Sequence, residues 1–168
     1  DSLSLKKAGA STRAYVELCE AVSKEIGVQL NVEGRYRWIV FLPSRTHMEV
    51  PVLNRYYGVF ESDKIKVRGI EAVRRDTPPL IKKAQMDMIR ILAKAPNSEA
   101  FEKRIPEALE VLSNYVKRLR KREVDEQDLI IAKQLSMHPD KYARDVFQAI
   151  AAKQLMKQGI EVSGGQTV

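Results

Sequence analysis

Apolar positions along the chain follow two different rhythms, and the changeover falls near Thr77-Pro78-Pro79. Before it, short alternating stretches surround one helical stretch. Asp1 to Lys7 sets Leu3 and Leu5 between polar neighbours, the period-2 pattern of a half-buried strand. Ser11 and Thr12 then suit the cap of a helix running to about Ile26. Its apolar positions Tyr15, Leu18, Cys19, Val22 and Ile26 recur at steps of three and four, and Gly27 supplies a stop. Leu30 and Val32 alternate again before Gly34. Arg35 to Leu42 is rich in strand formers and ends at Pro43, and its apolar centre predicts burial on both faces. Residues 44–51 are turn-like. Val52–Phe60 and Lys64–Arg68 predict two further strands, joined across the hairpin-sized gap Glu61-Ser62-Asp63. The first half therefore reads as an antiparallel sheet with a helix against it.

After Pro79 the period lengthens. Proline fits the first helical turn, where its missing N–H has no partner to lose. Leu80, Ala84, Met88, Ile91 and Leu92 make an apolar stripe that Pro96 ends. Asn97 or Ser98 caps a second helix whose stripe runs through Phe101, Ile105, Leu109, Leu112, Val116 and Leu119. Pro106 lies inside that stripe and predicts a kink or a fresh start. Leu129-Ile130-Ile131 fits strand or helix. A last helix is expected from about Tyr142 to Gln158, closed by Gly159. The fold class is thus α+β, an antiparallel sheet with a packed helix followed by a mainly helical region.

Composition narrows the function classes. The chain has 168 residues, 44% of them hydrophobic and 30% charged, the balance of a folded domain rather than a disordered one. The longest apolar run, Trp38 to Leu42, is far short of the roughly 20 residues a membrane span needs. One cysteine, Cys19, allows neither an internal disulfide nor a cysteine-based zinc site, which points to a reducing, cytosolic compartment. His47 and His138 stand outside any metal-ligand spacing. Lys and Arg outnumber Asp and Glu 29 to 22, a net charge of +7 that suits a polyanionic partner without requiring one.

Catalytic constellations are scarce: no glycine-rich phosphate loop occurs, and no nucleophile sits beside a histidine. The densest polar site is Arg68-Gly69-Ile70-Glu71-Ala72-Val73-Arg74-Arg75-Asp76, which a solvated strand edge with a local Arg–Asp pair also explains. Lys117-Arg118-Leu119-Arg120-Lys121-Arg122 gathers positive charge where it complements a helix C-terminus. Glu123, Asp125, Glu126 and Asp128 partly offset it. Arg55-Tyr56-Tyr57-Gly58 combines a guanidinium with aromatic rings on an expected strand.

Taken together and in order, these segments resemble the family B DNA polymerases. Arg55-Tyr56-Tyr57-Gly58 is similar to the end of a KKRYxG segment, and Gly69 to Asp76 to the GxExVRRD segment at the end of the palm. Asp128 to Leu135, with Pro139 and Tyr142, resembles the thumb. So does Ala151 to Gly159, followed by Gly164-Gly165. Gly34 to Pro43 is most similar to archaeal members.

The resemblance implies a palm segment over residues 1–77 and a thumb over 78–168. It implies that Asp1 is the second aspartate of a YGDTDS motif, hence a catalytic residue and a ligand of Mg2+ in a two-metal site. Such a site screens and activates the reacting phosphoryl oxygens with hard cations that prefer oxygen ligands. It further implies DNA-binding roles for Asn54, Arg55, Tyr56, Arg74, Arg75, Asp76 and Lys133, with Lys117, Arg118 and Lys121 adding phosphate contacts. Leu53 and Asn54 stand where the family has lysines. Within the RRD unit, one arginine is expected on the DNA backbone, with Asp76 orienting its neighbour.

The expected partners are primer–template DNA, deoxynucleoside triphosphates, and a large polypeptide carrying the exonuclease, the fingers and the rest of the palm. No membrane partner is expected, and the location is cytoplasmic, at the nucleoid. The chain opens without methionine and on Asp1. It is therefore expected to be either the small polypeptide of a split polymerase or an excised piece of a longer one, inactive alone. A non-catalytic DNA-binding accessory subunit is the alternative, and an unrelated basic α+β binding module a more distant one.

Overall fold

The computed structural model describes residues 3–168. Helix α1 spans Thr12–Ile26, and both its ends are where local chemistry puts them. The Ser11 side chain accepts a hydrogen bond from the Ala14 N–H, and Gly27 closes the helix in the left-handed region at φ 69°. Strands β1 (Tyr36–Pro43), β2 (Pro51–Phe60) and β3 (Ile65–Arg68) then form an antiparallel sheet in the order β1-β2-β3. Tyr36 pairs with Phe60 and Trp38 with Val59, an irregularity that leaves Arg37 between them. Arg37 turns this to use: its guanidinium meets Asp63 at 2.8 Å and donates to the Ala93 carbonyl at 3.0 Å.

Helices α2 (Pro79–Ala93) and α3 (Ser98–Arg120) pack against each other and against one face of the sheet. Trp38, Val59, Leu92 and Ala108 are the buried centre, with Tyr57, Met88, Ile91 and Phe101 packed around them. The Trp38 ring meets Phe101 edge-on at 4.9 Å, and its indole N–H donates to the buried Ala95 carbonyl at 3.0 Å. This core straddles residue 77.

A second, smaller core forms beyond residue 130. Leu135, Ala152 and Val162 are buried there, beneath helix α4 (Phe147–Lys157). The chain's last residues return to this region: Lys133 and Val168 exchange both backbone hydrogen bonds at 2.8 and 2.9 Å.

The α+β class with an antiparallel sheet and packed helices is as expected, but several details differ. Residues 3–7 and 28–34 form no strand: among the described residues no neighbouring strand pairs with them. The helices on the sheet are α2 and α3, whereas α1 buries none of its residues. In β1 only Trp38 is buried, so the strand is half-covered rather than enclosed on both faces.

Helix α3 makes no fresh start at Pro106 and runs on to Arg120. The carbonyl that Pro106 leaves without a partner belongs to Glu102, an exposed residue, so the lost bond falls on the solvent side of the helix. Leu129 ends a short 3-10 turn, Glu126–Leu129, and Ile130-Ile131 lead into the extended segment. The final helix starts at Phe147 rather than Tyr142, behind a separate 3-10 turn at Pro139–Lys141.

Candidate nucleic-acid interface

The turn after β3 is built around one glycine. Gly69 has φ +64°, and a β-carbon on it would stand 2.1 Å from the Asn54 carbonyl oxygen. No other residue lets the chain leave β3 so close to β2. The turn then coils through Glu71–Val73 and presents Arg74, Arg75 and Asp76 just before α2.

Within that unit the two arginines are treated differently. Arg74 lies in a two-pronged pair with Asp76, Nε to Oδ1 at 3.0 Å and Nη2 to Oδ2 at 2.8 Å. The guanidinium holds the Asp76 carboxyl below the usual carboxylate range, and Lys133 adds a smaller pull in the same direction. The Arg75 side chain enters no ion pair among the described residues. With Asp76, Ala132, Gln134 and Thr167 it lines an open cleft of about 210 Å³.

Lys133 reaches this place because two long-range links fix its segment. The Lys83 ammonium on α2 holds both carboxylate oxygens of Asp128, at 2.7 and 2.8 Å. Pairing with Val168 then fixes the Lys133 backbone. Of the sequence-predicted residues, Arg75 and Asp76 line the cleft, Arg74 is paired with Asp76, and Lys133 lies in the chain between the lining residues Ala132 and Gln134 without lining the cleft itself.

Arg55 and Tyr56 point to opposite faces of β2, as strand geometry requires. The Arg55 guanidinium meets Glu71 at 3.5 Å on the helix side. Tyr56 is only 5% exposed, its ring against Phe41 at 5.4 Å. It therefore packs the open face of the sheet rather than standing free on it. Asn54 is exposed, and its carbonyl is the group Gly69 accommodates.

Lys117, Arg118 and Lys121 are exposed at the end of α3. Arg118 lies over the Tyr115 ring at 5.9 Å, and Lys121 is 4.0 Å from Glu123. No hydrogen bond or ion pair among the described residues joins this cluster to the Arg75 cleft. Gln85, which no motif singled out, and Glu71, which the Gly69 to Asp76 segment contained without a role of its own, prove to be central. Gln85 on α2 donates to Glu71 at 3.2 Å and accepts from the Ala72 N–H. Neither residue type signals a nucleic-acid contact by itself, and Gln85 lies 14 residues along the chain from the Glu71 it meets.

Asp1 lies outside the described residues, and the Mg2+ expectation rests on it. Among the described residues no three of His, Cys, Asp or Glu are grouped to hold an ion. No helix is long and apolar enough to cross a membrane.

The chain matches the solved structure of the family B DNA polymerase from the hyperthermophilic archaeon Pyrobaculum calidifontis with a TM-score of 0.59 and 25% identity, over 97% of this chain and 19% of that one. Residues 7–165 match the model of DNA polymerase family B. Similar curated proteins include the DNA polymerase of Archaeoglobus fulgidus, 27% identical over 95% of this chain and 18% of the relative. The DNA polymerase of Pyrococcus horikoshii is 31% identical over 93% of this chain and 12% of the relative. The chain belongs to DNA polymerase family B, and it spans less than one fifth of the length of these relatives.

Proposed function

We propose that this chain is the C-terminal palm segment and thumb of a DNA-directed DNA polymerase, with residues 1–77 in the palm and 78–168 in the thumb. Its work is to hold primer–template duplex by the sugar-phosphate backbone, without reading sequence. The observation that carries this reading is the cleft beside the palm–thumb junction. There Asp76 takes two of the donors of Arg74, while Arg75 in the cleft and Lys133 close to it enter no ion pair among the described residues and keep their charge available for phosphates. Arg55 on the helix side of β2 and Asn54 on the opposite face of the strand add further contacts, with Tyr56 as the packing that holds their strand. Lys117, Arg118 and Lys121 add phosphate contacts farther along the duplex.

In this reading Asp1 supplies one carboxylate to a site for Mg2+, which promotes attack of the primer hydroxyl on a deoxynucleoside triphosphate. One carboxylate does not hold two ions, so the chain alone is inactive and works with the rest of a polymerase. That remainder carries the exonuclease, the fingers and the other palm residues, and the assembly acts at the nucleoid.

Primer extension by the assembly reconstituted with an Asp1→Ala chain tests the catalytic part. Loss of extension with duplex binding retained is the expected result. Unchanged extension would leave the chain as a DNA-holding accessory subunit.

A further inference from the structure

Behind Arg55 stands a relay that starts on another element and reaches its guanidinium through an ion pair. Of its five guanidinium donors, those on Nη2 face Glu71 Oε1 at 3.5 Å, and its side chain is 25% exposed. The second carboxylate oxygen of Glu71 accepts from the Gln85 amide at 3.2 Å. The other end of that amide accepts from the Ala72 N–H, so Gln85 spans the turn and the carboxylate at once. Both functions of the carboxamide are used, donor and acceptor. The Glu71 carboxyl is held below the usual range by hydrogen bonds from its backbone and from Gln85, with the charges of Arg55 and Arg74 adding to them. Gly69 closes the arrangement, since its missing side chain keeps the turn against Asn54 and the Arg55 stem.

We propose that Glu71 and Gln85 are positioning residues for Arg55: they fix one corner of its guanidinium so that the remaining donors are presented to the duplex backbone. Because Gln85 lies on α2 and Arg55 on β2, the relay couples the strand's DNA contact to the seating of the first helix after the palm–thumb junction. The inference rests on the reading that Arg55 meets DNA. A guanidinium held at one corner loses less rotamer freedom on meeting a phosphate than a free one, which is where the affinity gain arises.

The test is fluorescence anisotropy of the whole chain with a labelled primer–template duplex, titrated at several salt concentrations. Arg55→Ala lowers affinity and reduces the log–log salt slope by about 0.9, the loss of one phosphate contact. Gln85→Met, which keeps length but no hydrogen bond, lowers affinity roughly three- to tenfold, the worth of about one ordinary hydrogen bond. The chain carrying both substitutions binds no more weakly than Arg55→Ala alone, because the relay acts only through Arg55.

Wild-type affinity and slope in Gln85→Met, or a loss that adds in full to that of Arg55→Ala, overturns the positioning role while leaving the DNA contact standing. An Arg55→Ala chain with unchanged affinity and slope removes the contact itself, and the relay with it. Should Gln85→Met fail to fold in a circular dichroism melt, Gln85→Glu serves in its place. It retains an acceptor for the Ala72 N–H but sets a second carboxylate against Glu71.

Discussion

Gly69 leaves no room for a side chain against Asn54: the Asn54 carbonyl oxygen stands 2.1 Å from where a β-carbon would be. Its backbone is also in the left-handed region, at φ +64°. Gly69→Ala therefore meets two penalties, the conformational one and a collision with backbone that has no flexible end to move aside. The expected cost is about 2 kcal/mol or more. Urea unfolding monitored by circular dichroism should show a lowered midpoint with the slope unchanged. A midpoint equal to wild type would mean that β2 and the turn yield without strain.

Trp38 joins the sheet to the helices through both its ring and its N–H. Trp38→Ala empties the centre of the larger core and costs about 3–5 kcal/mol. Trp38→Phe keeps an aromatic ring against Phe101 but leaves the Ala95 carbonyl, on a fully buried residue, without its donor. That loss costs about 1–3 kcal/mol. Thermal unfolding of the two variants should rank wild type, then Phe, then Ala; equal melting of Phe and wild type would remove the hydrogen bond from the account.

How much of this was legible in the sequence depends on the distance over which each feature is decided. Helix α1 is settled by neighbours, with Ser11 capping one end and Gly27 turning the other, and its bounds follow from the residues alone. The hairpin at Glu61-Ser62-Asp63 is similarly local, with Asp63 itself in the left-handed region at φ 63°. The faces of α3 were less accessible. Of its apolar stripe only Phe101 packs into the core, Ile105, Leu109, Leu112, Val116 and Leu119 being exposed, and Ala108 and Tyr115 beside the stripe complete the packing. Periodicity established the helix but not which side its neighbour takes. The Lys133–Val168 pairing was invisible for a related reason: backbone pairing between distant segments leaves no residue-type signal. The basic turn at Arg74-Arg75-Asp76 was legible as a motif, as was a division of labour between its two arginines, and the geometry was needed only to show that Asp76 holds Arg74.

A second link between α2 and α3 responds to pH. The Tyr115 hydroxyl donates to Asp87 Oδ2 at 2.7 Å, and Arg90 Nη1 meets Oδ1 at 2.6 Å. These partners, Tyr115 first, hold the Asp87 carboxyl below its ordinary value. A carboxyl depressed by folding contributes stability that is complete above its unfolded pKa of about 3.9 and is lost as pH falls through the folded value. Since the Asp87 side chain is 37% exposed, screening reduces the charge-assisted bond to about 1 kcal/mol. Tyr115→Phe should therefore be less stable than wild type at neutral pH, with the difference shrinking below about pH 3.9. Denaturant unfolding across that range checks it, and a gap that stays constant with pH would assign the loss to packing.

Arg75, which lines the cleft, and Lys133, whose chain neighbours Ala132 and Gln134 line it, offer the sharpest separation between holding DNA and merely folding. Neither side chain is tied into an ion pair among the described residues, so removing either costs the fold little. Each stands to release condensed counterions when it meets a phosphate, and the salt dependence of binding counts those contacts directly. Arg75→Ala and Lys133→Ala should each lower duplex affinity and reduce the log–log salt slope by about 0.9, with the double substitution reducing it by about 1.8. The reduction should be the same for duplexes of unrelated sequence, because phosphate contacts carry no sequence information. Lys103, exposed near the start of α3 and away from the cleft lining, is the control, and Lys103→Ala should leave the slope unchanged. If Lys103→Ala shifts the slope as much as Arg75→Ala does, binding follows overall charge and the cleft is not its seat.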